Sequence, residues 1–425
     1  MRQNAANWLE LADRVWHFRR DVLPAAEAAE LSRQRSSLGQ LLRERADAAR
    51  LKLGIESIEG ALRRSGGAVY PKTSLTENIE FCLVAAIVIL GIRTYFVQPF
   101  KIPTNSMWPT YYGMTAENLR PGEALPGTAE RVLRLATFGA ERREMIAPKS
   151  GTVYAPFYFN GQSAYLVPTL RNGRSWLVIP EVQKEYNFYV DGENASVRVP
   201  RDFNEFEKDV LIPTFFGTQE KMIAYLMDQY KSSRFQEKDV LLDENTGRSG
   251  RVYVFPLPGA ARAGEPIVRF DVMTGDQLFV DRVSYHFMRP RVGQGFVFAT
   301  GNIPEIGEDE YYIKRLVGTP GDTLEVRAPV LYRNGSPITG ARAFDLNARQ
   351  VAPYGGYTFG NTIGEGRYLY PGQTLTVPQG KFFAMGDNSG NSKDGRVWGF
   401  VPAADVIGRP LFIYYPFTRR WGPAR

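Results

Sequence analysis

The chain has 425 residues, of which 44% are hydrophobic and 13% aromatic, with 41 Gly and 28 Pro, enough for two or three domains rich in strands and turns. Its net charge of +7 would suit nucleic acid or anionic lipid, but no Lys/Arg block is interleaved with aromatics, which points to a basic membrane protein and away from nucleic acid. The single cysteine, Cys82, excludes an intrachain disulfide and thiolate metal clusters, and the two histidines, His17 and His286, flank a long apolar run, so no metal site and no cofactor are expected.

Residues 1 to about 75 are rich in Ala, Leu, Arg and Glu, with apolar residues at helical spacing, as in Leu38, Leu41, Leu42 and then Leu51, Ile55, Ile58, Leu62. The pattern predicts two or three amphipathic helices broken near Pro24 and at Gly66-Gly67. This part carries a net +4 and lacks the short apolar core and small-residue cleavage site of a secretory signal. Partner docking, lipid association and a plain solvated helical unit are all compatible with it.

Next comes Phe81 to Ile92, 12 uncharged residues, about 18 Å as a helix and short of the roughly 30 Å hydrocarbon core. Length alone would favour a buried core helix. Arg93 can snorkel, however, and Tyr95, Phe96, Val97 and Phe100 continue the apolar face as an interfacial aromatic belt. The reading is a single transmembrane helix over 78–98, with the basic segment 1–77 in the cytoplasm and everything beyond residue 100 outside.

Immediately after it lies Pro99-Phe-Lys-Ile-Pro-Thr-Asn-Ser-Met-Trp-Pro-Thr110. Pro103 and Pro109 bracket Ser106, and two prolines predict an extended, non-helical loop. A serine on a stiff loop at a membrane exit is a candidate nucleophile, although most serines in turns only bond nearby backbone.

Residues 116–270 read as an inserted α+β module. Ala129 to Ile146 looks helical; strands are expected in Gly151–Phe159, 164–170, 175–181, 186–192 and Ala195–Pro200. An amphipathic helix follows over Gln219–Tyr230, then a strand near Arg251–Pro258. The module contains no catalytic constellation. From Met273 strand follows strand: Gln277-LFVDRVSY, Gly295-FVFAT, Tyr311-YIKRLVG, a hairpin at Leu331-YRNGSPI with an Asn-Gly turn, Lys381-FFAMGDN and Leu411-FIYYPF. With no alternating helices, this is a mainly β, antiparallel domain, formed by 99–115 and 271–425.

Within Tyr311-YIKRLVG, period two places Tyr312, Lys314 and Leu316 on one face and Ile313, Arg315 and Val317 on the other. One of the two cations must therefore sit among apolar neighbours. A lysine there loses hydration and becomes a general base near neutral pH; on an edge strand it would only guard against aggregation. The turn Gly386-DNSGNSKDG-Arg396 concentrates hydroxyl, amide, carboxylate and guanidinium groups, and Asp394 could pair with Arg396 to brace it.

Taken together, these stretches resemble the signature boxes of bacterial type I signal peptidases, the leader peptidases of the Ser/Lys class. PFKIPTNSMWPT is similar to the nucleophile box, MTGDQLFVDRVSY to the following strand box, YYIKRLVGTPGD to the lysine box and GDNSGNSKDGRVWGFVP to the terminal box, in family order after an apolar segment. The resemblance implies a membrane-anchored antiparallel β catalytic domain of the signal-peptidase type on the outer, periplasmic side of the bacterial cytoplasmic membrane. It also implies roles: Ser106 as nucleophile, Lys314 as general base, and Thr104 with the Ser106 N–H as oxyanion hole. Ser392 would orient the lysine, Asp387, Asp394 and Arg396 would be structural polar positions, and Ile102, Pro103, Met107, Tyr312 and Ile313 would wall shallow substrate pockets. The implied partners are preprotein signal peptides with small residues before the cut, and the lipid bilayer. Ser389, Gly390 and Gly395 depart from the family pattern, which implies a thinner ion-pair network. A self-cleaving Ser/Lys regulator and a non-enzymatic membrane-tethered β module are the rival readings.

Overall fold

The computed structural model describes residues 1–72, 74–119, 125–161, 163–175, 179–307, 309–359 and 366–424. The chain divides into two units, Met1–Gly91 and Ile92–Arg425. In the first, α1 (Arg2–Arg19), α2 (Ala25–Arg43) and α3 (Ala48–Ser65) share one core, in which Val15, Leu31, Leu38, Ile58 and Leu62 are fully buried. Pro24 sets the first break as the sequence suggested. A second break falls at Asp47, whose carboxylate accepts the Arg50 N–H at 2.8 Å and caps α3.

The apolar run lies in α4 (Ser74–Tyr95), whose 22 residues span about 33 Å. None of its side chains is buried, and among the described residues it is the one helix long and apolar enough to cross a membrane. It begins four residues before the expected 78–98 and stops three short of it. The physical reason is that Val97–Lys101 form a strand, β1, so the expected aromatic continuation is sheet and not helix.

The second unit then runs through β2 (Thr115–Asn118), α5 (Thr128–Phe138), β3 (Glu141–Ile146), β4 (Gly151–Phe159), β5 (Ala164–Leu166), β6 (Thr169–Ser175), β7 (Ile179–Val190) and β8 (Glu193–Pro200). It continues with α6 (Ile212–Phe215), α7 (Gln219–Lys231), β9 (Gln236–Asp243), β10 (Arg248–Ala261) and β11 (Pro266–Met273). The helix expected over Ala129–Ile146 is half strand. Gly139 adopts a left-handed conformation (φ 61°) that ends α5, and β3 then pairs with β11. The strand expected over 175–181 falls partly on residues 176–178, which lie outside the described residues; Ile179–Glu181 open β7. Strands β4, β10, β9, β6 and β7 pair in a ring that closes through β4–β7. The ring and its neighbours bury Phe157, Phe188, Phe255, Phe203 and Phe206, with Met222 and Leu226 of α7 packed against them.

From residue 277 the elements are β12 (Gln277–Asp281), α8 (Ser284–Phe287), β13 (Gly295–Ala299), β14 (Tyr311–Gly318), β15 (Thr323–Arg327), β16 (Val330–Arg333), β17 (Ser336–Pro337) and α9 (Arg342–Ala348). They end with β18 (Leu375–Thr376), β19 (Lys381–Met385), α10 (Gly395–Trp398), β20 (Val401–Pro402), β21 (Val406–Tyr415) and β22 (Gly422–Pro423). The main sheet is antiparallel in the order β1-β12-β21-β13-β14-β19-β20, with β22 on β21. This is a mainly β, antiparallel fold. The Asn334-Gly335 turn joins β16 to β17 with both residues at positive φ, as a two-residue hairpin demands.

Candidate active site

The sheet order brings together residues far apart in the chain. β1 lies on β12, and the loop leaving β1 is tied to the start of β12: the Ile102 N–H donates to the Asp276 carbonyl at 2.9 Å. Asp276, fully buried, accepts the Tyr112 N–H at 2.8 Å and the Arg420 guanidinium, which also stacks 3.6 Å from the Tyr112 ring. The loop is not extended throughout. Asn105–Met107 make one 3-10 turn with Ser106 at its centre, because Pro103 and Pro109 fix only their own φ. The Asn105 side chain holds the turn by accepting the Gly113 N–H (2.9 Å) and donating to the Met114 carbonyl (3.2 Å).

Lys314, on β14, reaches this turn from the opposite side. Its Nζ lies 2.7 Å from Ser106 Oγ and 3.3 Å from the Ile313 carbonyl. Ser106 is 8% exposed and Lys314 4%. Burial brings the Lys314 ammonium down to about 8 from its ordinary value; the Asp394 charge opposes this and Arg396 assists it. The expected alternation holds, since Leu316 and Tyr312 belong to one cluster and Ile313 to another.

The sequence suggested burial of one cation, but Arg315 is buried as well. It forms a two-pronged ion pair with Asp387, Nε–Oδ1 2.6 Å and Nη2–Oδ2 2.5 Å, and donates to the Gly293 carbonyl at 2.6 Å. A fork of five N–H donors can be satisfied in a core where an ammonium is left short, so the two cations have different fates. Asp394 and Arg396 form a second buried pair at 2.9 and 2.8 Å. Burial pushes the Asp394 carboxyl up, but Arg396 more than offsets that and its value is lowered. Arg396 also donates to Ser389 Oγ (3.0 Å) and the Ser389 carbonyl (2.7 Å), so a serine at 389 leaves the guanidinium well bonded.

These pairs position the turn. The Asn388 N–H donates to the Ser106 carbonyl at 3.1 Å, and the Asn388 side chain to the Asn105 carbonyl at 3.0 Å. Gly386 is required by close approach: a Cβ there would sit 2.4 Å from the Ser106 carbonyl oxygen and 2.2 Å from Ser392 Oγ. From α9, the buried Asn347 donates to the Asp387 carbonyl at 3.2 Å. Asn105, Asn388 and Asn347 were not singled out from the sequence; each holds backbone, and no local pattern marks that.

Lys314 donates to Ser106 and the Ile313 carbonyl, whereas the fully buried Ser392 Oγ has no well-formed hydrogen bond. Ser392 leans instead on Asp394, whose carboxyl it helps to keep low. Among the proposed pocket residues, Pro103, Tyr312 and Ile313 are half-buried, but Ile102 and Met107 are core, packed with Tyr111, Leu278, Val280 and Ile413. Thr104 is exposed, in extended conformation just before the turn.

Residues 268–415 match the family model described as signal peptidase, peptidase S26. That stretch contains Lys314 but not Ser106, which joins it only through the fold. The probable signal peptidase I-1 of Synechocystis sp. is 37% identical over 151 residues, 35% of this chain and 66% of the relative, just under two thirds of that protein's length. The signal peptidase I of Bacillus licheniformis is 32% identical over 148 residues, 34% of this chain and 69% of the relative. A crystal structure of a signal peptidase I from Enterococcus faecalis is 28% identical, covering 29% of this chain and 97% of that one, with a TM-score of 0.21. Placed beside a buried lysine at hydrogen-bond distance from a serine on a braced turn, the similarity to the Bacillus licheniformis protein over more than two thirds of its length makes the chain a member of the signal peptidase family, peptidase S26.

Proposed function

We propose that this chain is a membrane-anchored serine endopeptidase that removes signal peptides from secreted preproteins. The observation that carries the reading is the 2.7 Å approach of Lys314 Nζ to Ser106 Oγ in a site dry enough to hold the lysine near 8. A lysine in that range is neutral in a useful fraction of molecules at mildly alkaline pH. Neutral Lys314 takes the Ser106 proton as Oγ attacks the scissile carbonyl, forming an acyl-enzyme. The Ser106 N–H and the Thr104 hydroxyl, both on the 3-10 turn or its edge, supply the oxyanion donors. Protonated Lys314 returns the proton to the leaving amine, and then, neutral again, activates the deacylating water.

In this reading α4 spans the membrane with residues 1–77 in the cytoplasm and the catalytic β domain outside, while 116–270 is an inserted module. The net +4 before α4 supports that orientation. Half-buried Pro103, Tyr312 and Ile313 beside Ser106 favour small substrate side chains. The test is cleavage of a signal-peptide-bearing preprotein by the purified chain in detergent. Cleavage should stop with Ser106→Ala enzyme and with substrates carrying bulky residues at the first and third positions before the cut. Cleavage unaffected by Ser106→Ala would overturn the reading.

A further inference from the structure

Helix α5 leaves its apolar side uncovered among the described residues. Val132, Leu135 and Ala136, with Gly139 just past the helix end, follow the i, i+3, i+4, i+7 spacing of one helical stripe, yet no side chain of α5 is buried. Val132 is 62% exposed and Leu135 41%. The polar side, in contrast, is bound: Arg134 pairs with Glu117 and, at 3.2 Å, with Asp271. The helix is also held in place. The Tyr415 hydroxyl donates to the Leu135 carbonyl and the Phe417 N–H to the Thr137 carbonyl, each at 3.0 Å. Pinned in this way beside the end of β21, the open stripe forms one wall of a groove of about 770 Å³.

The other walls come from β21, β3 and the β6–β7 pair. Tyr414, Tyr415 and Phe417 continue the apolar surface, with Phe417 55% exposed. Lys101, Glu141, Arg143, Arg174 and Glu181 set charges of both signs around it. Arg143 pairs with Glu141 at 2.7 Å, but its buried Nε has no acceptor among the described residues. A buried donor without a partner is costly, and an incoming backbone carbonyl would relieve it.

The groove adjoins the catalytic turn. Met114, one of its lining residues, donates its N–H to the Pro103 carbonyl at 3.0 Å, and its own carbonyl accepts the Asn105 side chain at 3.2 Å. Lys101, also in the lining, precedes Ser106 by five residues, so the two lie within about 18 Å of each other. An extended peptide covers that distance in about five residues. A substrate with its scissile carbonyl at Ser106 therefore has an arm long enough to enter the groove. The chemistry of the lining says which arm. The uncharged apolar run of a signal peptide would strip water from the charged groups and give them no partners. The start of a mature protein carries charged and polar groups that can pair with them.

We infer that this groove binds the segment of the preprotein downstream of the cut, with apolar side chains on Val132, Leu135 and Phe417 and polar ones on Arg174 and Glu181. The inference rests on the endopeptidase reading and makes α5 and β3 part of substrate selection. The test compares two synthetic peptides cleaved by the full chain in detergent. They share one signal portion; the first ends just past the cut, and the second continues for about ten residues of mixed apolar and charged character. Covering one valine or leucine with a ligand is worth about tenfold in affinity, so the parent should show a KM roughly tenfold or more lower for the longer peptide. Val132→Gln with Leu135→Gln, both at exposed positions, should abolish that advantage and cleave the short peptide as fast as the parent. In the Ser106→Ala chain, a photoreactive group about six residues past the cut should cross-link to residues 132–143. Equal KM for the two peptides, an equal loss on both in the variant, or cross-links confined to other residues would overturn the inference and leave the peptidase reading standing. A parent that cleaves neither peptide would overturn both. A variant that turns a dimer into a monomer while treating the two peptides as the parent does would assign the groove to a second copy of the chain and overturn the inference.

Discussion

Replacing Lys314 by methionine tests the desolvation of the base without any substrate. The buried ammonium falls from an ordinary 10.5 to about 8, with burial as the main cause. Below pH 8 both folded and unfolded chains hold the proton, so the cost of burying the charge is fully present; the difference in affinity corresponds to about 3 kcal/mol. Between pH 8 and 10.5 the unfolded chain binds more protons than the folded one, so parental stability rises with pH and the cost disappears above 10.5. Methionine has a similar shape and no charge. Lys314→Met should therefore unfold at higher temperature than the parent at pH 7, by roughly 5 °C for a unit of this size, and the gap should shrink steadily toward pH 10.5. Scanning calorimetry of both forms in the same detergent at pH 7, 8.5 and 10 reads this directly. A parent as stable as the variant at pH 7, or a gap that does not change with pH, would refute a desolvated lysine.

Other consequences follow from the packing around the turn. Gly386→Ala would push a methyl into the Ser106 carbonyl and Ser392 Oγ; it should cost about 1–3 kcal/mol of stability and most of the peptidase activity, seen by denaturation and preprotein cleavage together. Asp387→Asn leaves Arg315 buried without its counter-charge and should destabilise by about 3–5 kcal/mol, visible as a lowered denaturation midpoint. Thr104→Val, which removes the proposed side-chain oxyanion donor at nearly constant shape, should lower kcat by roughly 10²–10³ in preprotein cleavage, whereas Thr104→Ser should keep much of the rate. A Thr104→Val enzyme as fast as the parent would reduce Thr104 to a turn residue.

The elements that carry the site were legible because each leaves a local mark. Strand alternation around Lys314 put it with Tyr312 and Leu316, and the boxes around Ser106 and Asp394 stand in a recognisable order. What the sequence left out depends on distant partners. Period two could say that one cation of the Lys314-Arg315 pair is buried, but not that Asp387, seventy-two residues on, would bury the other. Asn105, Asn347 and Asn388 act on backbone groups that only the folded turn brings near them. Glu141–Ile146 read as helix because charged residues such as Glu141, Arg142 and Arg143 suit a helix surface; pairing with β11 and the Arg142–Asp271 ion pair override that preference. Ring closure by β4 and β7 was equally invisible, since it joins strands by tertiary packing and not by a turn.

The central claim is that Ser106 and Lys314 act as one unit. Its most direct measurement is the rate of preprotein cleavage by Ser106→Ala, Lys314→Ala and the doubly substituted enzyme, each checked for folding. Residues of one catalytic unit are strongly non-additive, so each single change should bring cleavage to the same residual level and the double change should bring it no lower. Near-normal turnover by Lys314→Ala, or a double variant slower than either single one by the product of their effects, would contradict the dyad.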